Sequence, residues 1–200
     1  MKATLSPPGR PRAFDTDEAL EQAMRLFWSK GFLGTSLSDL TEAMGISRPS
    51  LYAAFGNKES LFRRAVERYF HGPAAYLQDA LKEPTARKVV ERLLQGVVDL
   101  VTDPGLPGTC LWVHGALSCG GTSDPLQEEF VKQRAQGHAD LRARLKRAIA
   151  EGDLPAGSDA DALARFVQTV NFGLSVQAAT GASRKELLRV VAAALQAWPH

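Results

Sequence analysis

Apolar residues recur along nearly the whole chain at the 3.6-residue spacing of helices, and the strict alternation of half-buried strands is absent. The pattern predicts an all-α protein. A first helix is expected from Asp15, because Asp15-Thr-Asp-Glu18 has capping-box spacing, with Leu20, Ala23, Met24 and Phe27 as its apolar stripe and Gly31 as its stop. Ser36 opens a second, short helix with Leu37, Leu40 and Met44 on one face and Gly45 at its end. A third begins at Ser47, tolerates Pro49 in its first turn, turns Leu51 and Phe55 inward and stops at Gly56. Asn57 caps a fourth, striped by Leu61, Phe62, Ala65, Val66 and Tyr69, and "HGPAA" at 71–75 breaks it.

Longer helices are expected over roughly 84–102, 109–119, 124–151, 159–180 and 183–198, with "DPGLPG" and "GDLPAGS" as breaks between them. This divides the chain into an N-terminal arm (1–14), a small bundle (15–70) and a larger helical domain (71–200).

Composition narrows the class. An apolar fraction of 44% and a charged fraction of 23% are those of a soluble globular protein. No run approaches the ~18 apolar residues of a membrane span, and "MKATLSPPGRPRAF" lacks the apolar centre of a signal peptide, so a cytoplasmic location is expected. Two cysteines do not make a disulfide scaffold. The net charge of +2 is small, but its placement is uneven. Residues 71–200 carry 14 basic and 14 acidic side chains, whereas the first twelve residues carry Lys2, Arg10 and Arg12 and no acid. That asymmetry points towards nucleic acid.

The second and third helices, joined by "MGIS", have the form of a helix-turn-helix. Leu40, Met44, Ile46 and Leu51 would hold the pair together, leaving Ser47, Arg48, Pro49, Ser50 and Tyr52 at the start of the second member. In such motifs that N-terminal end meets the base edges and its flanks grip phosphate. Arg48 is the candidate reader of guanine, because its planar fork matches two acceptors at once. The glycine and lysine of "SLYAAFGNKESLF" (50–62) superficially suggest a nucleotide phosphate loop. Such a loop needs a preceding strand and more glycines, so Lys58 is better read as a DNA phosphate contact at a helix N-terminus.

"TSLSDLTEAMGISRPSLYAAFGNKESLF", together with "ALEQAMRLFWSKGF", resembles the signature of the tetracycline-repressor (TetR) family from about Arg12 to Tyr69. Gly31, Thr35, Ile46, Leu51, Tyr52, Phe55, Lys58 and Leu61 fall at its spacings. The resemblance implies a homodimer presenting two recognition helices to a palindromic double-stranded operator, with a C-terminal domain that senses a small-molecule effector. It also implies that Thr35, Ser36, Tyr52 and Lys58 face the DNA backbone. Arg10 and Arg12, held on an extended arm by Pro11, would suit a minor groove.

In the larger domain the family pattern implies that the last two long helices pair across a dyad, and Phe166, Val170, Leu174, Leu188, Val191 and Leu195 are the candidate dimer residues. Filling the domain's own core is the competing role for the same stripes. Candidate ligand-binding residues are Cys110, Trp112, His114, Phe130, Gln168, Asn171 and Phe172, aromatic, amide or thiol groups on expected inward faces. Cys110 and Cys119 would lie ~13 Å apart along one helix, too far for a local disulfide. Gly108-Thr109-Cys110-Leu111 resembles a branch of the family that includes electrophile sensors, although ordinary core packing would also account for a small thiol. A Cys110–His114 nucleophile–base pair lacks a third orienting group, and a metal site would need a ligand such as His138 brought from elsewhere. No cofactor is expected.

Overall fold

The computed structural model describes residues 14–111 and 125–199. Among them the chain forms nine α-helices and no strand: α1 (Thr16–Lys30), α2 (Leu37–Met44), α3 (Arg48–Phe55), α4 (Lys58–His71), α5 (Tyr76–Ala80), α6 (Ala86–Thr102), α7 (Pro125–Ala150), α8 (Ala160–Ala179) and α9 (Arg184–Gln196). The predicted helix over 109–119 falls mostly outside the described residues, as do the arm arginines Arg10 and Arg12. No described helix is long and apolar enough to cross a membrane.

The helix starts follow local chemistry. The Asp15 carboxylate accepts from the Asp17 and Glu18 amides, and Asn57 accepts from Ser60 at 2.7 Å. At Ser36 and Ser183 the cap is reciprocal: each serine accepts from the amide of the third helical residue, Asp39 or Glu186, whose carboxylate accepts from the serine amide. Hydrogen bonds to Ser36, with Lys30 beside it, hold the Asp39 carboxyl well below the usual range. Between α2 and α3 the backbone turns at Gly45 with φ 63°, where a side chain would be strained, and Ile46 donates back to the Thr41 carbonyl at 3.1 Å.

α5 was not anticipated. It spans five residues and has no side-chain cap, too short for apolar periodicity to register.

Two apolar cores organise the molecule. The first is built from α1–α4, centred on Met24, Phe27, Trp28, Leu40, Leu51, Phe62 and Tyr69, and it recruits Leu100, Cys110, Leu111, Leu126 and Phe130 from beyond residue 71. The second joins α6, α7, α8 and α9 around Val90, Leu94, Leu145, Val167, Leu187 and Trp198. Because the first core reaches into α7, α4 belongs to the small bundle and also forms a wall of the larger one.

Candidate nucleic-acid interface and internal cavity

α3 is amphipathic over two turns. Leu51 and Phe55 are buried in the first core, where α3 meets α2 and α4, while Arg48, Pro49 and Tyr52 are exposed, Tyr52 at 49%. Ser47 caps the helix by accepting from the Ser50 amide at 3.3 Å, and the two hydroxyls lie 2.9 Å apart. The Arg48 guanidinium donates to the Ser38 hydroxyl at 2.8 Å, so it rests against α2.

Lys58 begins α4 and partly covers Phe32, with Nζ 4.2 Å from the ring centroid. Partial burial lowers the ammonium pKa, and the Asp39 carboxylate opposes that shift. Arg64 ties α4 to α3 by donating to the Ala54 carbonyl at 3.1 Å and lying 4.8 Å over the Phe55 ring. Arg48, Ser36 and Tyr52 are therefore exposed on α2 and α3, with Lys58 at the start of the following helix.

Thr35 departs from its expected role. Its side chain is 1% exposed, and its hydroxyl donates to the Gly31 carbonyl at 2.6 Å. The hydroxyl closes the α1–α2 turn and cannot reach a phosphate in this arrangement. The family spacing locates Thr35 next to the interface but carries no information on which way its hydroxyl points.

Behind α4 lies a partly open cavity of about 900 Å³, lined also by α5, α6, α7 and α8. Of the seven candidate ligand residues, Cys110, Phe130, Gln168, Asn171 and Phe172 line it. Trp112 and His114 lie outside the described residues. Sequence reasoning missed Tyr69 and Tyr76 as lining residues. Tyr69 sat in a buried stripe, where its hydroxyl requires a partner, and that requirement was the available signal. The structure supplies the partner in Cys110, whose Sγ is 3.3 Å from the Tyr69 hydroxyl. Burial pushes both tyrosines well above their ordinary pKa, the neighbouring Cys110 adding to it, so both phenols stay protonated at neutral pH. Charged groups such as Arg63, Glu129 and Arg134 also line the cavity, Arg63 and Glu129 as a 2.9 Å ion pair.

Among the described residues the partners of His138 are an amide and a carboxylate, not a thiol. Its ring nitrogens lie 2.9 Å from Gln168 Oε1 and 2.9 Å from Asp161 Oδ1. Hydrogen bonds from His138 and Arg165 hold the Asp161 carboxyl down at about 2. Among the described residues no group of three His, Cys, Asp or Glu side chains could hold a metal ion.

The candidate dimer residues separate into two groups. Phe166 is 37% exposed, and Val170, Leu188 and Leu195 are half-buried. Leu174 and Val191, at 1% and 2%, fill the protomer's second core. They cannot contribute surface to a partner, and the competing core role wins for these two. Val176, two residues on from Leu174, is 45% exposed and adds apolar surface to the outer side of α8.

The interface and the cavity share walls. Phe130 of α7 packs on Phe62 at 5.7 Å, Phe62 on Phe32 at 5.0 Å, and Phe32 carries Lys58. The Arg63–Glu129 ion pair also joins α4 to α7.

Comparison with known proteins agrees with this layout. The family model for bacterial regulatory proteins of the tetR family matches residues 19–65, and a tetracyclin repressor-like C-terminal domain model matches residues 84–195. The HTH-type transcriptional repressor ComR of Escherichia coli K12 is 33% identical over 194 residues, 96% of this chain and 92% of ComR. The repressor BdcR of the same organism is 31% identical, covering 95% and 92%. A cysteine mutant of the TetR family transcriptional regulator CifR, solved with 26 bp double-strand operator DNA, superposes with a TM-score of 0.89 at 46% identity, covering 96% of this chain and 100% of that one.

Proposed function

The chain belongs to the TetR family of bacterial transcriptional regulators, and on that premise we propose that it is a repressor which binds a palindromic operator as a homodimer and is released by a small molecule. The family and the relatives named above are DNA-binding regulators, not enzymes, which removes the Cys110–His114 nucleophile–base alternative.

The single observation that carries this reading is the shared wall. α4 begins with Lys58 beside the exposed face of α3 and lines an effector-sized cavity through Phe62, Val66 and Tyr69. A ligand seated against Phe130 and Tyr69 favours a conformer in which α4 is displaced. Two recognition helices carried on such helices then lose the separation of one B-DNA turn, about 34 Å, that a palindrome requires. Phe166, Val170, Leu188 and Leu195, with Val176, form the dyad face in this reading. Arg48 and Ser50 meet the bases, while Ser36, Tyr52 and Lys58 hold phosphates, and Arg10 and Arg12 enter the flanking minor groove.

The test is fluorescence anisotropy of the purified protein on labelled DNA flanking its own gene, titrated with salt. Sequence-selective, salt-sensitive binding with a stoichiometry of one dimer per site is expected. Equal affinity for flanking and scrambled DNA would sink the proposal.

A second reading concerns how the effector is sensed. Cys110 Sγ lines the cavity and meets the Tyr69 hydroxyl, so an electrophile bound there would find a thiol within the site. In this reading Cys110→Ser keeps operator binding and loses release by a thiol-reactive probe such as N-ethylmaleimide. Release by that probe from the serine variant would refute it.

A further inference from the structure

A second cleft of about 500 Å³ lies beside the effector cavity. Its walls are polar, from Glu83, Lys88, Glu91, Arg92, Gln95 and Asp99, in contrast with the largely apolar cavity. Among the described residues Tyr76 is the only one common to both linings. It is also packed against both apolar cores. Its ring therefore stands between a largely apolar cavity and a polar cleft open to the surface.

The ring can occupy that position because α6 offers no side chain there. A Cβ at Gly96 would stand 2.2 Å from Tyr76 Cδ2 and 2.7 Å from Cγ, distances that no side chain tolerates. Gly96 is in the interior of α6, where glycine disfavours the helix relative to alanine. The residue thus keeps a local penalty in a place where the nearest atoms to an added Cβ are those of the tyrosine ring. Tyr76 itself belongs to α5, five residues long and without a side-chain cap; its ring sits on α6 at Gly96 and its hydroxyl is hydrogen-bonded to Asn171.

We propose that Tyr76, seated on Gly96, is a specificity-determining residue of the effector cavity: its ring sets the length of elongated, uncharged, mostly apolar ligand that the cavity accepts. The proposal rests on the reading of that cavity as the effector site. Displacing the ring joins the two chambers, so that a longer chain can lie along the apolar one with its polar end in the second.

The experiment uses the full chain, with N-phenyl-1-naphthylamine as a fluorescent probe and straight-chain primary alcohols from hexanol to dodecanol as competitors. In the parent protein affinity rises about fourfold per methylene buried and then stops rising at the length the ring permits. In Tyr76→Ala the rise continues for at least two further methylenes, making the longest alcohols about tenfold tighter or more. Tyr76→Phe retains the parent limit, because the ring and not the hydroxyl is the wall. Gly96→Ala, which forces the ring off its seat, moves the limit. Should Gly96→Ala fail to fold, the two Tyr76 variants decide alone. An unchanged limit in Tyr76→Ala, or a limit lost equally in Tyr76→Phe, overturns the proposal. Failure of the parent protein to take up the naphthylamine or any alcohol overturns the effector-cavity reading itself, and the partition with it.

Discussion

Lys58 stands over the face of Phe32, its Nζ 4.2 Å from the ring centroid, and Phe32 in turn packs on Phe62 at the cavity wall. The lysine is therefore a point charge on an aromatic seat, with its orientation set from below. Lys58→Ala is expected to weaken binding to operator and unrelated DNA alike and to reduce the salt slope by about one. Anisotropy titrations at several salt concentrations check this. A loss confined to particular operator sequences contradicts the phosphate role.

Arg48 should behave in the opposite manner. In the proposed reading its guanidinium exchanges Ser38 for a base, and Arg48→Ala is expected to lose about 1–3 kcal/mol at one operator position per half-site while leaving unrelated DNA nearly unaffected. Binding to a set of single-base operator variants reads this directly. Ser38→Ala, which removes only the resting contact, should leave operator affinity within a factor of about two.

Thr35→Val separates fold from recognition. The substitution keeps the shape and leaves the Gly31 carbonyl without the hydroxyl that now donates to it, a loss of about 1 kcal/mol in urea denaturation. Operator affinity of the folded fraction should be unchanged. A drop in affinity without a drop in stability would restore Thr35 to the DNA contacts.

Leu174 and Phe166 lie on one helix and should give contrasting phenotypes. Leu174→Ala opens the protomer's core and is expected to destabilise it by about 2–5 kcal/mol. Phe166→Glu puts a charge on an exposed apolar position, and should shift sedimentation towards the monomer with little effect on helical content. A dimer that survives Phe166→Glu at micromolar concentration places the dyad elsewhere.

Asp161 gives the acid-range prediction. Its folded pKa, about 2, lies below its unfolded value of about 3.9. The group therefore contributes stability that is fully present above about pH 4 and is lost as the pH falls towards 2. The urea midpoints of the parent and Asp161→Asn should differ at neutral pH and converge across that window. A constant difference from pH 6 to pH 2.5 would show that the His138 and Arg165 contacts do not favour the ionised form.

Much of the reading head was legible because its signals are local. Ser36, Ser47 and Asn57 cap through hydrogen bonds to residues three positions away, and Gly45 turns the chain by its own backbone freedom. These signals do not depend on the rest of the fold. The orientation of Thr35 and the division between Leu174 and Phe166 depend on what stands opposite, which the spacing of one segment does not contain. The same limit explains the cavity. Gln168, Asn171 and Phe172 were visible as unusual residues on an apolar helix. Tyr76 was not, because its importance comes from Gly96, twenty positions away on another helix. α5 escaped notice because five uncapped residues carry too little pattern.

Trp28 sits at the end of this chain of contacts. Its indole is fully buried in the DNA-binding half, edge-on to Tyr69 at 4.8 Å, and its N–H donates at 2.6 Å to the carbonyl of Thr109, one residue ahead of Cys110. An indole bonded to the cavity's own wall changes its emission when that wall shifts, without any label attached. Trp28 is thus placed as an optical reporter at the seam between the two halves, and under the proposed release by an effector its emission is expected to change as the effector binds.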